Sequence, residues 1–252
     1  MGPDIRIFAD TGELSRAAAA EFARLAGEAV RADGRFTVAL AGGSTPRGAY
    51  TLLAEEPSLR NQVPWDRTHC FWGDERPVPP DHSESNFRMA DETMLSKVSI
   101  PPENVHRIRG ECPDTALAAE EYERTLHDCF HPAKGAFPRF DLVLLGLGCD
   151  GHTASLFPGT PALRERRRLV VSNWVAQLET ERITLTLPVL NSAASIIFLV
   201  AGEEKAAALK SVLEGNAGQP IPPAGRIRPE RGTLTWLLDR PAARLISQTD
   251  PE

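Results

Sequence analysis

The chain has 252 residues, 42% hydrophobic and 25% charged, enough for one large α/β domain or two small ones around a substantial core. Its formal charge of −6 excludes the basic footprint of a general nucleic-acid binder. No run approaches the ~18 apolar residues of a membrane span, and the N-terminal MGPDIRIFAD lacks the apolar core of a secretory signal. A cytoplasmic protein is expected, and its four cysteines, which show no C-x-x-C pair and no regular framework, fit reduced thiols.

In chain order, apolar periodicity predicts a strand at Ile5–Phe8 and an alanine-rich helix over Leu14–Ala32. A strand at Phe36–Ala41 leads through a glycine turn to a helix from about Pro46 to Leu53. Thr68–Trp72 reads as a third strand, Ser85–Leu95 as a helix with Ser85 as N-cap, and Asp114–Phe130 as a helix. Cys129 lies between His127 and His131, but with no matched second cluster a solvated helix end is the plainer reading than a metal site. Phe140–Leu145 is wholly apolar, as in a strand buried on both faces. Arg164, Arg166, Arg167 and Arg168, with Glu165 among them, read as a solvated turn. Further strands are expected at Leu169–Ser172, Ile183–Leu187, Ser195–Val200 and Thr233–Leu237, a helix at Glu203–Leu213 and a long loop at Gly215–Pro229. This alternation predicts an α/β fold, a doubly wound, mostly parallel sheet with helices on both faces, formed by residues 1–252 as a single domain.

In such sheets ligands collect beyond the carboxyl ends of the strands. Four polar loops fall there: GGSTPRG, GDERPV, GLGCDGHT and AGEEK. Gly42-Gly43-Ser44-Thr45-Pro46 reads either as a plain capped strand-to-helix turn or as a phosphate cradle at a helix N-terminus. No lysine follows the glycines, so a nucleoside-triphosphate P-loop is excluded. Asp74-Glu75-Arg76 is either a surface salt-bridge cluster or part of a site. Lys205 sits in a first helical turn, where an ammonium is unfavourable unless an anion is near. Glu203 and Glu204 are its plain partners, and a bound anion is the functional one. Arg182 has the planar fork for a bidentate grip on phosphate.

Residues 144–159, LLGLGCDGHTASLFPG, spell G-x-G-x-x-G after an apolar run. A dinucleotide turn needs a helix opening at the later glycines and an acidic ribose contact about 20 residues on. Here His152 follows Gly151 directly, Phe157-Pro158-Gly159 breaks any helix, and no carboxylate stands beyond the next strand until Glu179. No nicotinamide cofactor is expected. Asp150-Gly151-His152 instead offers a carboxylate two residues from an imidazole, the side chain suited to general-base work near neutral pH.

At these residues the chain resembles the 6-phosphogluconolactonases. The stretches ALAGGSTPRGAYTLLA, FWGDERPVPPDHSESNFRMA, DLVLLGLGCDGHTASLFPG, RITLTLPVLNSA, LVAGEEKAAAL and RGTLTWLLDR follow that family's order from about residue 5 to residue 245. The resemblance implies a modified doubly wound fold shared with glucosamine-6-phosphate deaminases and ribose-5-phosphate isomerases. It also implies hydrolysis of 6-phospho-D-glucono-1,5-lactone to 6-phosphogluconate, in the oxidative pentose phosphate pathway, with no metal and no cofactor. By the same resemblance His152 is the catalytic base with Asp150 beside it, and Asp74 and Arg76 belong to the active site. Gly42, Gly43, Ser44, Thr45, Arg182 and Lys205 fall at phosphate-handling positions, and Cys149 is given no role. Either Asp150 or Asp74 is expected to orient the imidazole.

The small-molecule lactone is the expected partner, with no nucleic acid and no membrane; a monomer is the working expectation, the sequence itself being silent on oligomeric state. A deaminase is the alternative, but that family continues after its histidine toward Asn-Glu-Pro, whose glutamate helps open the amino-sugar ring. Here the stretch is Ser155-Leu156-Phe157-Pro158, with no carboxylate. A non-catalytic sugar-phosphate sensor would leave His152 without a task.

Overall fold

The computed structural model describes residues 3–215, 218 and 220–247. Its strands are β1 (Asp4–Phe8), β2 (Phe36–Leu40), β3 (Thr68–Trp72), β4 (Asp74–Glu75), β5 (Leu142–Leu145), β6 (Val170–Val175), β7 (Thr180–Leu185), β8 (Ser195–Val200) and β9 (Thr233–Asp239). Its α-helices are α1 (Thr11–Asp33), α2 (Ser44–Glu55), α3 (Pro57–Arg60), α4 (Asn86–Thr93), α5 (Thr115–Phe130), α6 (Leu187–Asn191), α7 (Ala206–Glu214) and α8 (Arg240–Ala243). Local chemistry sets their ends. Asp10 caps α1 by accepting from the Glu13 N–H at 2.9 Å, Ser85 caps α4 through the Arg88 N–H at 3.1 Å, and Asp114 caps α5.

Six strands form one parallel sheet in the order β1-β9-β8-β5-β2-β3. Every residue of β2 and β5 is buried, as a sheet covered on both faces requires. Edge-to-face contact of Phe22 with Phe36 packs α1 on one part of the sheet, and Phe198 stacks on Trp236 between β8 and β9 at 3.8 Å. Among the described residues no helix is long and apolar enough to cross a membrane.

The expected strands at Leu169–Ser172 and Ile183–Leu187 exist as β6 and β7, but they do not join the parallel sheet. They pair antiparallel with each other, and β7 pairs antiparallel with β4, in a separate three-stranded sheet of order β4-β7-β6. Only one tight turn, Ala176–Leu178 followed by Glu179 at φ 48°, connects them, too short for the crossover that parallel pairing needs. The end of the predicted 183–187 strand instead opens α6, where Pro188 occupies the first turn. Gly73 is where the chain changes sheets: its N–H donates to Leu40 O of β2, and its carbonyl accepts from Leu185 N of β7. Within the expected loop at 215–229, Pro223–Arg226 forms a 3₁₀ turn, and residues 216, 217 and 219 lie outside the described set.

In chain order β2 leads outward to β3, whereas β5 lies on the other side of β2. That reversal opens a crevice between the carboxyl ends of β2 and β5, where an open parallel sheet binds ligands.

Candidate active site

A cleft of about 290 Å³ occupies that crevice, lined by all four of the polar loops. Gly42, Gly43, Ser44 and Thr45 come from the end of β2, and Asp74 and Arg76 from beyond β3. His152 follows β5 and Lys205 follows β8. An adjoining lobe of about 390 Å³ shares Asp74, Arg76, His152 and Ala154 with it and is walled by Asp150, Arg182 and the β6–β7 turn. The predicted residues therefore meet, with one division. Arg182 and Asp150 line the second lobe, Ser44, Thr45 and Lys205 the first, and His152 stands between.

The loop after β5 is folded by its own backbone. Gly148 N–H donates to His152 O at 2.9 Å, and Gly151 N–H donates to Gly148 O at 2.9 Å. This turn sets Asp150 Oδ1 at 2.6 Å from His152 Nδ1 and 3.1 Å from the His152 N–H. A carboxylate only accepts, so the contact holds a proton on Nδ1 and leaves the Nε2 lone pair for a ligand. Phe157 stacks on the imidazole at 4.1 Å, and Gly148 underlies it so closely that a Cβ there would fall 2.0 Å from Nδ1. Asp150 is thus the partner of His152, while Asp74 bonds elsewhere.

Asp74 is buried. Its Oδ2 accepts from Ser155 Oγ at 2.6 Å, and its backbone carbonyl accepts from Asn86 Nδ2 at 2.9 Å. Ser155 is in turn held by Asn173 of β6, whose amide donates to Ser155 O, and by Thr184 of β7, which accepts from Ser155 N. All three strands of the small sheet thereby fix the segment that follows His152. Next to Asp74, the buried Glu75 carboxylate accepts from the N–H groups of Arg76, Asn86 and Phe87 and from Ser85 Oγ. Burial pushes its carboxyl above the usual range, against those backbone donors. It anchors the N-terminus of α4 beside the cleft.

The cations are arranged for an anion. Gly43 caps α2 with no side chain, so the first-turn N–H groups face the cleft beside Ser44 and Thr45 without a side-chain acceptor. Lys205 does not pair with Glu203, which binds Arg244 at 2.9 Å; its Nζ lies 3.5 Å from Cys149 Sγ. Arg76 and Arg182 donate to the carbonyls of Glu84 and Glu181 rather than to carboxylates. Burial first, and the Arg76 charge second, hold the Arg182 guanidinium below its usual range. Two guanidinium groups brought together in this way favour a bound anion.

The family model described as glucosamine-6-phosphate isomerases/6-phosphogluconolactonase matches residues 9–236. The chain belongs to that family. A 6-phosphogluconolactonase from Nostoc sp. is 46% identical over 220 residues, covering 87% of this chain and 88% of that protein. The solved 6-phosphogluconolactonase from Trypanosoma cruzi superposes with a TM-score of 0.86 at 30% identity over 98% of each chain. A monomeric glucosamine-6-phosphate deaminase superposes with a TM-score of 0.79 at 22% identity, covering 96% of this chain and 99% of that one, a likeness of fold alone. In the stretch after His152, this chain places the Phe157 ring against the imidazole and the Ser155 hydroxyl on Asp74.

Asn86 is the site residue that sequence reasoning passed over. It is buried, its amide nitrogen holds Asp74, and its Oδ1 points at Gly42 with no hydrogen-bond partner. A Cβ at Gly42 would fall 1.7 Å from that oxygen, so only glycine fits. Gly42→Ala is therefore expected to lower the unfolding free energy by about 1–3 kcal/mol, as overpacking does, a change read from denaturant titration.

Proposed function

We propose that the chain is a 6-phosphogluconolactonase, hydrolysing 6-phospho-D-glucono-1,5-lactone to 6-phospho-D-gluconate in the oxidative pentose phosphate pathway. The observation that carries this reading is an imidazole tied through Nδ1 to Asp150, backed by a phenyl ring, and set between two lobes that both hold unpaired cationic groups. A lactone is an activated ester, so a base, a water and a place for the developing oxyanion suffice.

His152 Nε2 takes a proton from water as the water oxygen attacks C1. Asp150 holds the ring and stabilises the imidazolium. Arg76 and loop N–H groups receive the oxyanion. As the C1–ring-oxygen bond breaks, the imidazolium returns the proton to the departing ring oxygen, leaving the carboxylic acid. No metal or cofactor takes part in this scheme. Ser44, Thr45 and Lys205 in one lobe, and Arg182 in the other, hold the phosphate and so fix C1 relative to His152. Residues 1–252 act as one domain, as a monomer, in the cytoplasm.

Phosphate recognition gives the test. A charge-assisted hydrogen bond contributes about 1.5–3 kcal/mol. Lys205→Ala and Arg182→Ala should therefore raise KM for the phosphorylated lactone about tenfold or more, and scarcely change hydrolysis of unphosphorylated gluconolactone. Equal losses on the two substrates would make these residues structural.

A further inference from the structure

Cys129, which the sequence sets between His127 and His131, finds different partners in the fold. His131 turns away into the left-handed region at φ 45° and closes α5, its N–H donating to His127 O. The Cys129 thiol instead meets His69 of β3 and His106, and the ligating atoms of all three lie within 4.8 Å of one another. These residues come from three separate parts of the chain. β3 is the edge strand of the large sheet, and His69 stands toward its amino end, whereas the catalytic cleft opens at its carboxyl end. His106 is fastened alongside by its own N–H, which donates to Cys70 O at 2.8 Å, and by stacking on Phe71 at 4.3 Å.

The spacing suits a metal ion. Zinc–nitrogen bonds of about 2.0–2.1 Å and a zinc–sulfur bond of about 2.3 Å in a tetrahedron place the ligand atoms about 3.3–3.6 Å apart. His69 Nδ1 and His106 Nε2 already stand 3.1 Å apart. One imidazole donates to the other there, and on binding each ring turns so that both lone pairs meet at one point. Arg35, whose guanidinium donates to Cys129 O at 3.0 Å, opposes a dication. The thiolate formed on binding offsets part of that charge.

We propose that His69, His106 and Cys129 bind a zinc-class divalent cation such as Zn²⁺ or Co²⁺, with water as fourth ligand, at a site separate from the catalytic cleft. Nitrogen and thiolate donors select this class over Mg²⁺ or Ca²⁺. The ion would clamp β3, the segment after Asn104 and the end of α5 to one another, and so stabilise the fold.

The full-length reduced protein titrated with Co²⁺ tests the site. The expected result is a near-ultraviolet thiolate-to-cobalt band with visible bands of a tetrahedral centre, saturating at one equivalent. The bands should persist in Cys149→Ser and vanish in Cys129→Ser. His69→Gln should weaken Zn²⁺ binding, measured by competition with a chromophoric chelator, about tenfold or more. Zn²⁺ should raise the unfolding temperature of the wild type and leave that of His69→Gln unmoved; this edge-strand variant decides the matter if Cys129→Ser does not fold. An absent thiolate band, bands that survive Cys129→Ser, bands lost in Cys149→Ser, or unchanged Zn²⁺ affinity in His69→Gln would overturn the proposal.

Discussion

His152→Ala is expected to lower lactone turnover by about 10²–10⁴-fold, the usual contribution of a positioned general base. The fold should remain, because the imidazole sits at a loop surface with 30% of its side chain exposed and belongs to no strand or helix. One nitrogen carries the effect. Asp150 occupies Nδ1 at 2.6 Å, so proton transfer to and from water falls to Nε2, and alanine removes it outright. Steady-state rates, corrected for spontaneous hydrolysis, give the loss as kcat at saturating lactone. Asp150→Asn should lose less than His152→Ala, since the base survives but its charged form is no longer stabilised. A purified His152→Ala protein with near-normal turnover would remove the imidazole from the chemistry.

Gly148→Ala is expected to be almost as damaging, although it removes no polar side chain. The added Cβ would lie 2.0 Å from His152 Nδ1 and 2.7 Å from Asp150 Oδ1, and neither group can give way without breaking the contact between them. A misplacement of about 1 Å at a reacting group can cost about 10²-fold in rate. The loss should therefore appear in kcat, and circular dichroism and thermal unfolding should show an intact fold. A Gly148→Ala protein with wild-type kcat would mean that the imidazole does not need its present position. The same glycine explains the G-x-G-x-x-G lettering. The glycine permits close approach of an imidazole, not of a pyrophosphate.

Much of this site was legible because its parts follow strand ends. Once Phe36–Ala41, Thr68–Trp72, Phe140–Leu145 and Ser195–Val200 are read as parallel strands, their following loops must share one edge, and the cleft is lined by all four. The nearness of Asp150 to His152 was legible because both stand in one glycine turn. Contacts across long separations were not. Asn86 reaches Gly42 and Asp74, and Ser155 reaches Asp74, through packing that leaves no periodic trace in the chain. The small sheet was missed for a related reason. A run such as Leu169–Ser172 announces a strand, but partner and direction depend on the connection, here a tight turn at Ala176–Leu178. The choice between Asp74 and Asp150 as partner of His152 is likewise set by the fold, since either carboxylate has the right chemistry.

Hydrolysis of a phosphorylated lactone in this cleft is tested most directly by generating the lactone through enzymatic oxidation of glucose 6-phosphate and following acid release, with ammonia release from glucosamine 6-phosphate followed in parallel. Acid release far above the spontaneous rate, with no ammonia, is the predicted result. Ammonia release with lactone decay unchanged would contradict it and assign the cleft to deamination.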